Sequence, residues 1–355
     1  MFDLKIIGTG SFIPETVVTN DMMATIVDTN DEWITTRTGI SERRLSSGEP
    51  TWYMGAEAAR KALAASGLDP LAIDMIVVTT ITPDYYTPST SCIIQDEIGA
   101  KNAFCFDMNA ACTGFVYALD MAGRYLSTPG INNILIVSAE TVSKITDYSD
   151  RSTCVLFGDG ASAAIVSHAQ PGDASCLLST VLGAEGHGGG FLVSGALGIH
   201  HPFVAQDKVW PDRFNHTSGP FIGMSGQDVY KFAVRSMTDS IIQAADKANI
   251  SLDELHFIVP HQANARIVDA ATRRMKVDPA VMIQRMEDFG NTSSASIPIC
   301  LDEMIRSGKL KRGDKVAISG FWNGLGRQRF ARSRRLQRRR PRLDRRRLNA
   351  PGSLA

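Results

Sequence analysis

Cysteine, histidine and asparagine side chains stand where the sequence pattern changes from one element to the next. Cys112 follows the short apolar and aromatic segment 103–106, which predicts a buried strand. After it, apolar residues recur at helical spacing: Val116, Ala118, Leu119, Met121 and Ala122. The free N–H groups and positive dipole end of a helix favour a thiolate, the nucleophilic form of cysteine. Cys112 is therefore a candidate nucleophile, and the alternative is a buried structural cysteine.

His261 and Asn291 are the two other candidates. His261 follows an apolar strand pattern at 256–259, and α/β proteins bind ligands at the carboxyl ends of such strands. Asn291 precedes Thr-Ser-Ser, where an amide oxygen can cap a helix. Taken singly, His261 has the alternative of a structural histidine and Asn291 that of a simple N-cap.

The spacing of predicted elements suggests an internal duplication that brings these residues together. Val78, at the end of one buried strand, precedes Cys112 by 34 residues, and Val137 follows it by 25. In the second half, Val259 precedes Thr292 by 33 residues and Ile318 follows it by 26. Helices alternating with buried strands predict an α/β fold with mostly parallel sheets. We therefore expect two similar halves, 1–172 and 173–326, packed face to face with Cys112, His261 and Asn291 between them.

The segment between the repeats is less regular. Residues 178–226 lack periodicity and are predicted to form long loops over the site. The glycine cluster at 186–190 lacks the Gly-Lys-Ser/Thr of a phosphate loop. The pattern of Val229, Phe232, Ala233, Met237, Ile241 and Ala244 then predicts an amphipathic helix.

Composition excludes several classes of protein. The chain has 355 residues, 44% of them hydrophobic and 21% charged, which is ordinary for a globular protein. There is no run of 18 apolar residues, and the N-terminus resembles a first strand more than a signal peptide, so a cytoplasmic location is expected. The six cysteines and seven histidines show no zinc-ligand spacing, which predicts no structural metal and no disulfide.

The zero net charge conceals an uneven distribution. Twelve arginines and one acid, Asp344, lie between Arg327 and Arg347. The rest of the chain has 25 basic and 36 acidic residues, so its net charge is −11. Residues 327–355 are predicted to form a disordered basic tail.

Several motifs resemble those of β-ketoacyl-acyl-carrier-protein synthase III, the initiating condensing enzyme of bacterial fatty-acid synthesis. The three central ones are Ala-Ala-Cys-Thr-Gly-Phe at 110–115, Pro-His-Gln-Ala-Asn at 260–264 and Phe-Gly-Asn-Thr-Ser-Ser-Ala-Ser at 289–296. Segments 31–40, 150–153 and 157–161 agree with them, and the resemblance runs from about residue 4 to 321.

The resemblance implies a thiolase-like fold with α-β-α-β-α layers, a homodimer and a Cys-His-Asn site. It implies that Cys112 takes an acyl group from a short acyl-CoA, and that malonyl-acyl-carrier protein then loses CO₂ and attacks the acyl-enzyme. His261 and Asn291 would stabilise the negative charge on the thioester oxygen. Acyl-CoA is then a substrate, and no permanently bound cofactor and no membrane partner are implied.

Binding residues are implied in the same way. Trp33, Arg37 and Arg151 would hold the nucleotide end of coenzyme A, and Asn264 the pantetheine arm. Carrier proteins of this pathway are acidic, and basic residues occupy the matching positions for their contact: Lys231, Arg266, Arg273 and Arg274. A solvated charge for Arg37, a half-buried strut for Trp33 and a solvated helix face for the basic group are the alternatives.

The chain departs from the family after Gly320 and Phe321. A glycine-rich loop and a final apolar strand are expected there, whereas this chain continues with Trp322, Asn323 and the arginine-rich tail. A reading-frame slip near codon 322, a natural tail that binds nucleic acid or anionic membrane, and a compact extension are the three explanations. Because the glycine loop contributes one N–H of the oxyanion hole, we expect the chain as written to be impaired or poorly soluble.

Two other functions remain open. An acyltransferase or a ketide or quinolone-type synthase of secondary metabolism would use the same fold. An inactive enzyme body carrying a polyanion-binding tail belongs to a different class. A degradative thiolase is disfavoured because Cys300 lies in a predicted helix rather than on a glycine-rich loop.

Overall fold

A computed structural model describes residues 4–170, 173, 176–195, 214 and 219–321. The strands are β1 Leu4–Phe12, β2 Thr16–Thr19, β3 Glu42–Leu45, β4 Met75–Thr79, β5 Phe104–Met108, β6 Asn133–Thr141, β7 Asp159–His168, β8 Leu192–Ser194, β9 Ile222–Met224, β10 Phe257–Pro260 and β11 Val316–Ser319. The helices are α1 Asn20–Met23, α2 Asp31–Thr38, α3 Thr51–Ser66, α4 Thr90–Ile98, α5 Gly114–Leu126, α6 Arg151–Cys154, α7 Gly226–Ala248, α8 Ala265–Met275, α9 Met286–Phe289 and α10 Ser296–Arg306. No helix in these ranges is both long and apolar enough to cross a membrane.

The first half is built on a five-stranded sheet with the order β1-β7-β6-β4-β5. Strand β4 lies parallel to both neighbours, with Met75 opposite Phe104 on one side and Ile134 on the other. All five residues of β4 are buried, as its continuous apolar run predicts. The sheet is mostly parallel, as predicted, because four of its five strands run in the same direction, and β7 runs antiparallel to its neighbours β6 and β1. The connection between β6 and β7 contains only short helical turns, so the chain returns in the opposite direction.

Strand β5, which leads to Cys112, is an edge strand rather than a buried one. It pairs with β4 and has no second neighbour in the described sheet, and the Phe104 side chain is 44% exposed. A short apolar run cannot distinguish a strand covered by helices from one at an exposed edge. The Phe104 ring lies 5.9 Å from that of Tyr125, and Cys105 and Cys92 are free thiols with their Sγ atoms 3.3 Å apart.

The alanine-rich segment 54–66 before Gly67 is typical of a helix with a glycine C-cap. The helix α3 begins at Thr51, three residues earlier, and ends at Gly67, whose φ is +70°. Its alanine-rich face allows β1 to pack very closely against it. A Cβ atom added at Gly10 would lie 2.4 Å from the Ala58 carbonyl oxygen, so only glycine fits there. This packing fixes one face of the first-half sheet.

The two halves share one core. Strands β10 and β11 pair in parallel. Helix α7 precedes β10, α8 follows it, and α10 precedes β11. One buried cluster combines Phe115 and Leu119 of α5 with Ile297 and Leu301 of α10. The predicted division at residue 172 stays a prediction, and residues 322–355, including the basic tail, lie outside the described part.

Backbone conformation supports the predicted duplication. Ala111 and Ser293 both have left-handed φ values, 44° and 50°. Each begins a short 3-10 turn that runs directly into a helix, α5 at Gly114 and α10 at Ser296. The structural equivalent of Cys112 is therefore Ser294, two residues beyond the Thr292 that the spacing suggested.

Candidate active site

One cavity of about 610 Å³ contains all three predicted catalytic residues. Cys112, His261 and Asn291 line it, although they come from three separate segments of the chain. The turn before α5 positions the cysteine, the end of β10 the histidine, and the turn before α10 the asparagine. The predicted convergence of these side chains agrees with this arrangement.

The turn that carries Cys112 is closely packed, and its position before α5 does not by itself lower the pKa of the thiol. A Cβ at Gly320 would lie 2.6 Å from the Cys112 carbonyl oxygen, so β11 closes directly over the turn. The Sγ atom lies 3.7 Å from the Ser293 hydroxyl. Burial, with a smaller contribution from the nearby Glu140, raises the pKa of the Cys112 thiol to about 12. The expectation that the helix start favours a thiolate is not met, because burial is the largest influence on the pKa of this thiol and raises it.

His261 is a buried, neutral imidazole. Its backbone N–H donates to the Ser319 carbonyl at 2.7 Å, its Nδ1 lies 2.6 Å from the Ser296 hydroxyl, and its ring meets the Phe321 ring edge-on at 5.2 Å. Burial lowers the pKa of His261 to about 3. Among the described residues no carboxylate hydrogen-bonds to the ring. His261 can therefore donate or accept a hydrogen bond, but it is a weak base.

Asn291 presents its amide nitrogen to the cavity. Its backbone is fixed by the bonds to Leu156 and Gly158, of 2.8 and 3.1 Å. Its Oδ1 accepts the Ser293 N–H at 2.9 Å, so Asn291 satisfies a free N–H at the start of the turn as predicted, although the N-cap residue itself is Thr292. With the oxygen engaged and no described acceptor on the nitrogen, the Nδ2 hydrogens remain available to a ligand.

Glu140 is an important residue that the sequence did not reveal. This carboxylate, at the end of β6, is completely buried and accepts hydrogen bonds from both halves of the chain. Its donors are the Thr80 and Thr82 hydroxyls, the Ile81 N–H, and the hydroxyl and N–H of Ser294. A glutamate after an apolar run usually marks the exposed end of a strand, and only the second half shows why this one is buried.

The residues predicted to bind coenzyme A lie at the mouth of the cavity. The guanidinium groups of Arg37 and Arg151 lie 4.5 and 5.0 Å from the centre of the Trp33 ring. Trp33, Arg37 and Asn264 line the cavity, whereas Arg151 flanks it and donates to the Asp28 carbonyl at 2.6 Å. Asn264 also caps α8 through a 2.9 Å bond from the Arg266 N–H.

The four basic residues predicted for the carrier protein separate into two pairs. Lys231 and Arg266 are exposed and line the cavity rim. Arg273 and Arg274 lie at the other end of α8, away from the cavity lining, and Arg274 is 3.4 Å from Asp239. The loops predicted over the site are described in part, and Leu192 and Met224, of the strands β8 and β9, line the cavity.

Comparison with known proteins adds an independent line of support. The family described as 3-oxoacyl-[acyl-carrier-protein (ACP)] synthase III matches residues 106–186, and its C-terminal counterpart matches residues 245–327. The beta-ketoacyl-[acyl-carrier-protein] synthase III of Clostridium acetobutylicum is 44% identical over 325 residues, which cover 92% of this chain and 97% of that protein. The two matched family ranges contain Cys112, His261 and Asn291.

Solved structures show the same similarity. The 3-oxoacyl-[acyl-carrier-protein] synthase III of Aquifex aeolicus VF5 has a TM-score of 0.81 and 40% identity, over 91% of this chain and 97% of that one. The priming β-ketosynthase of the R1128 polyketide biosynthetic pathway has a TM-score of 0.80 and 37% identity, over 91% of this chain and 93% of that one.

Proposed function

The chain belongs to the 3-oxoacyl-[acyl-carrier-protein] synthase III family, and from this premise we propose that Cys112, His261 and Asn291 perform its condensation. The protein is a condensing acyltransferase of fatty-acid synthesis with a thiolase-like fold. The assignment of roles to individual residues, and of a short acyl-CoA as first substrate, is our proposal.

In the first step, Cys112 Sγ attacks the carbonyl carbon of the acyl-CoA thioester. The carbon–sulfur bond to coenzyme A breaks, and the thiol proton of Cys112 ends on the departing coenzyme A sulfur. Because the pKa of the Cys112 thiol is about 12, the proton leaves as the new bond forms and not beforehand. The Cys112 backbone N–H is suited to stabilise the oxygen anion of the tetrahedral intermediate.

In the second step, malonyl-acyl-carrier protein replaces coenzyme A in the cavity. Its terminal carbon–carbon bond breaks, CO₂ departs, and the electron pair passes onto the thioester as an enolate. His261 and the Asn291 amide donate hydrogen bonds to the enolate oxygen. The enolate carbon attacks the acyl carbon, and the bond to the Cys112 sulfur breaks to give 3-oxoacyl-carrier protein. The sulfur leaves as a thiolate and takes up a proton from solvent, which restores the thiol. No base is required, because the departing CO₂ leaves its electrons behind.

The surroundings of the His261 ring carry this assignment, because the ring is buried and among the described residues its polar contact is a serine hydroxyl and not a carboxylate. A hydrolase of the Cys-His type needs a basic imidazole oriented by a third group. Here burial lowers the pKa of His261 to about 3, and Asn291, which lines the same cavity, has an uncharged amide. Two neutral donors suit an oxygen that becomes negative when CO₂ departs.

The direct test is to incubate the purified 355-residue chain with acetyl-CoA and malonyl-acyl-carrier protein. Mass spectrometry of the carrier protein should show the 3-oxoacyl product, formed at the reduced rate expected from the altered sequence after Phe321, and omission of acetyl-CoA should remove it. An acyl-enzyme that forms but is consumed only by another nucleophile would support the second candidate, a synthase of secondary metabolism, which the similarity to the R1128 ketosynthase favours. Absence of an acyl-enzyme would contradict both.

Arg37 is expected to contribute to the binding of the coenzyme A nucleotide. Arg37→Ala should raise the KM for acyl-CoA about tenfold, because a guanidinium contact with the phosphate or base is lost. The KM for a short acyl thioester without the nucleotide should not change. Arg60→Ala, which removes a half-buried arginine of α3 outside the cavity lining, is the control, and an equal increase in both variants would contradict the role of Arg37.

Arg266, at the cavity rim, is expected to contact the acidic carrier protein. Arg266→Glu should raise the KM for malonyl-acyl-carrier protein about tenfold at low salt, and less as salt screens the charges. The KM for acyl-CoA should remain close to that of the parent. Lys101→Glu makes the same change of charge on an exposed part of the first half and should have little effect.

We also propose a cytoplasmic homodimer that forms through the edge strand β5. The exposed Phe104 and Tyr125 side chains beside this strand support the proposal, since an open edge can pair with a second copy. Sedimentation analysis of the full chain, with Phe104→Glu as the interface variant, tests it.

A further inference from the structure

Ser296 makes the closest polar contact of the His261 ring. Its Oγ lies 2.6 Å from His261 Nδ1, and both residues are buried. The same Oγ accepts the Gln262 backbone N–H at 3.3 Å. Ser296 is the first residue of α10, so the hydroxyl is held at a fixed point beside the end of β10.

The hydrogen bonds available to the Ser296 hydroxyl determine whether it donates to His261 Nδ1 or accepts from it. A serine hydroxyl has one hydrogen to donate and two lone pairs to accept. The Gln262 N–H occupies one lone pair, and within the described residues no other acceptor lies within reach of the Ser296 hydrogen. If Nδ1 were protonated and donated to Oγ, the buried hydroxyl hydrogen would have no partner, which is unfavourable. The hydroxyl therefore donates to Nδ1, and Nδ1 carries no hydrogen.

We propose that Ser296 is a positioning residue that holds His261 in the tautomer with its hydrogen on Nε2. Since Nδ1 faces Ser296, Nε2 is at the opposite edge of the ring, and no described residue accepts from it. The ring lines the cavity, so this N–H is available to a ligand oxygen. The other tautomer would present a lone pair there and repel a developing negative charge.

The expected effect of Ser296 on condensation rests on the proposed function, whereas the tautomer of His261 does not depend on it. A hydrogen-bond donor at His261 Nε2 stabilises the enolate oxygen in the second step, and it has no proposed role in the acylation of Cys112. Loss of the Ser296 hydroxyl should therefore impair the second step and leave the first one almost unchanged. A general structural defect would impair both steps together.

The decisive structural measurement is ¹⁵N NMR of the histidine-labelled wild-type chain, with a His261→Ala variant to assign the signals. We expect Nε2 to be protonated and Nδ1 to be an acceptor. Protonation on Nδ1 in the wild-type protein would overturn the proposal, whatever any variant does.

Kinetics provides the second measurement. Ser296→Ala should acylate Cys112 at a rate within about twofold of wild type and lose about 10- to 100-fold in condensation, as removal of other orienting partners of histidine does. Ser296→Thr, which keeps the hydroxyl, should recover most of this loss. Ser240→Ala is the matched control, since the Ser240 hydroxyl lies 2.9 Å from that of Ser319, whose carbonyl holds the His261 backbone.

The outcomes distinguish the two proposals. If the wild-type chain forms no 3-oxoacyl product, the proposed function fails, and the NMR result alone judges the role of Ser296. If the wild-type chain is active and Ser296→Ala condenses equally fast with an unchanged tautomer, the role of Ser296 is refuted. A Ser296→Ala loss that Ser240→Ala matches would also refute it.

Discussion

Cys112→Ala is expected to abolish formation of the acyl-enzyme and to reduce condensation by roughly 10⁴-fold or more, the scale of removing a covalent nucleophile. The donors proposed for decarboxylation, His261 and Asn291, belong to other segments and should stay in place. The variant should therefore still release CO₂ from malonyl-acyl-carrier protein without forming a new carbon–carbon bond. Intact-protein mass spectrometry after addition of acyl-CoA, together with a CO₂-release assay, measures the two steps separately.

Cys176→Ala is the control for this experiment, because Cys176 is an exposed free thiol outside the cavity lining. It should acylate and condense as the parent does. Retention of the acyl mass in Cys112→Ala would show that another residue is the nucleophile. Loss of CO₂ release along with acylation would show that Cys112 also supports the decarboxylation site, for example through the Ser293 contact.

Much of the fold could be predicted because the buried elements have clear local patterns. The β-branched runs of β4 and β6 correctly predicted strands covered on both faces, and Gly67 correctly predicted the end of α3. Strand β5 has a similar apolar run, but it lies at the edge of the described sheet and pairs there with β4 on one side. Local composition reports the type of an element, whereas its position in the sheet depends on the topology of the whole chain.

Candidate site residues could be predicted where they stand at the end of a recognisable element. The residues that support them could not be predicted. Cys112, His261 and Asn291 each stand at the end of an element, where a repeated topology brings side chains together. Ser296 and Glu140 lack such a signal, since their importance arises from contacts with residues 35 and 154 positions away in the sequence. The direction of the Cys112 pKa shift was missed for the same reason, because burial depends on Gly320 and Ser293 from the second half.

These contacts suggest why the proposed nucleophile, Cys112, is kept as a thiol. Glu140 raises the pKa of Cys112 and at the same time binds Ser294, the structural equivalent of Cys112 in the second half. The Glu140 carboxylate thus connects β6 to the turn that carries Asn291, and it also makes the Cys112 thiol less acidic. A nucleophile that ionises only as a thioester arrives is less exposed to other electrophiles.

Asn291→Asp is expected to have the second largest effect, because it changes a neutral donor into an acceptor with almost no change of shape. The new carboxylate can still accept the Ser293 N–H that Asn291 Oδ1 accepts now, so the turn before α10 should keep its conformation. Condensation should fall by more than the roughly 10²- to 10³-fold that loss of one oxyanion donor costs, since a negative charge would face the enolate oxygen. Acylation of Cys112 should change by only a few fold.

The pH dependence of this variant provides the sharper test. Burial disfavours the charged form of a carboxyl group, so the pKa of the introduced Asp side chain should lie above its ordinary value. As the pH falls through that pKa, the protonated carboxyl becomes a donor, and condensation by Asn291→Asp should partly recover relative to wild type at the same pH. Asn249→Asp, at the exposed C-cap of α7, should show neither the loss nor the recovery. A uniform loss at every pH would mean that Asn291 acts through the turn it caps, and that the stabilising donor for the enolate is His261 alone.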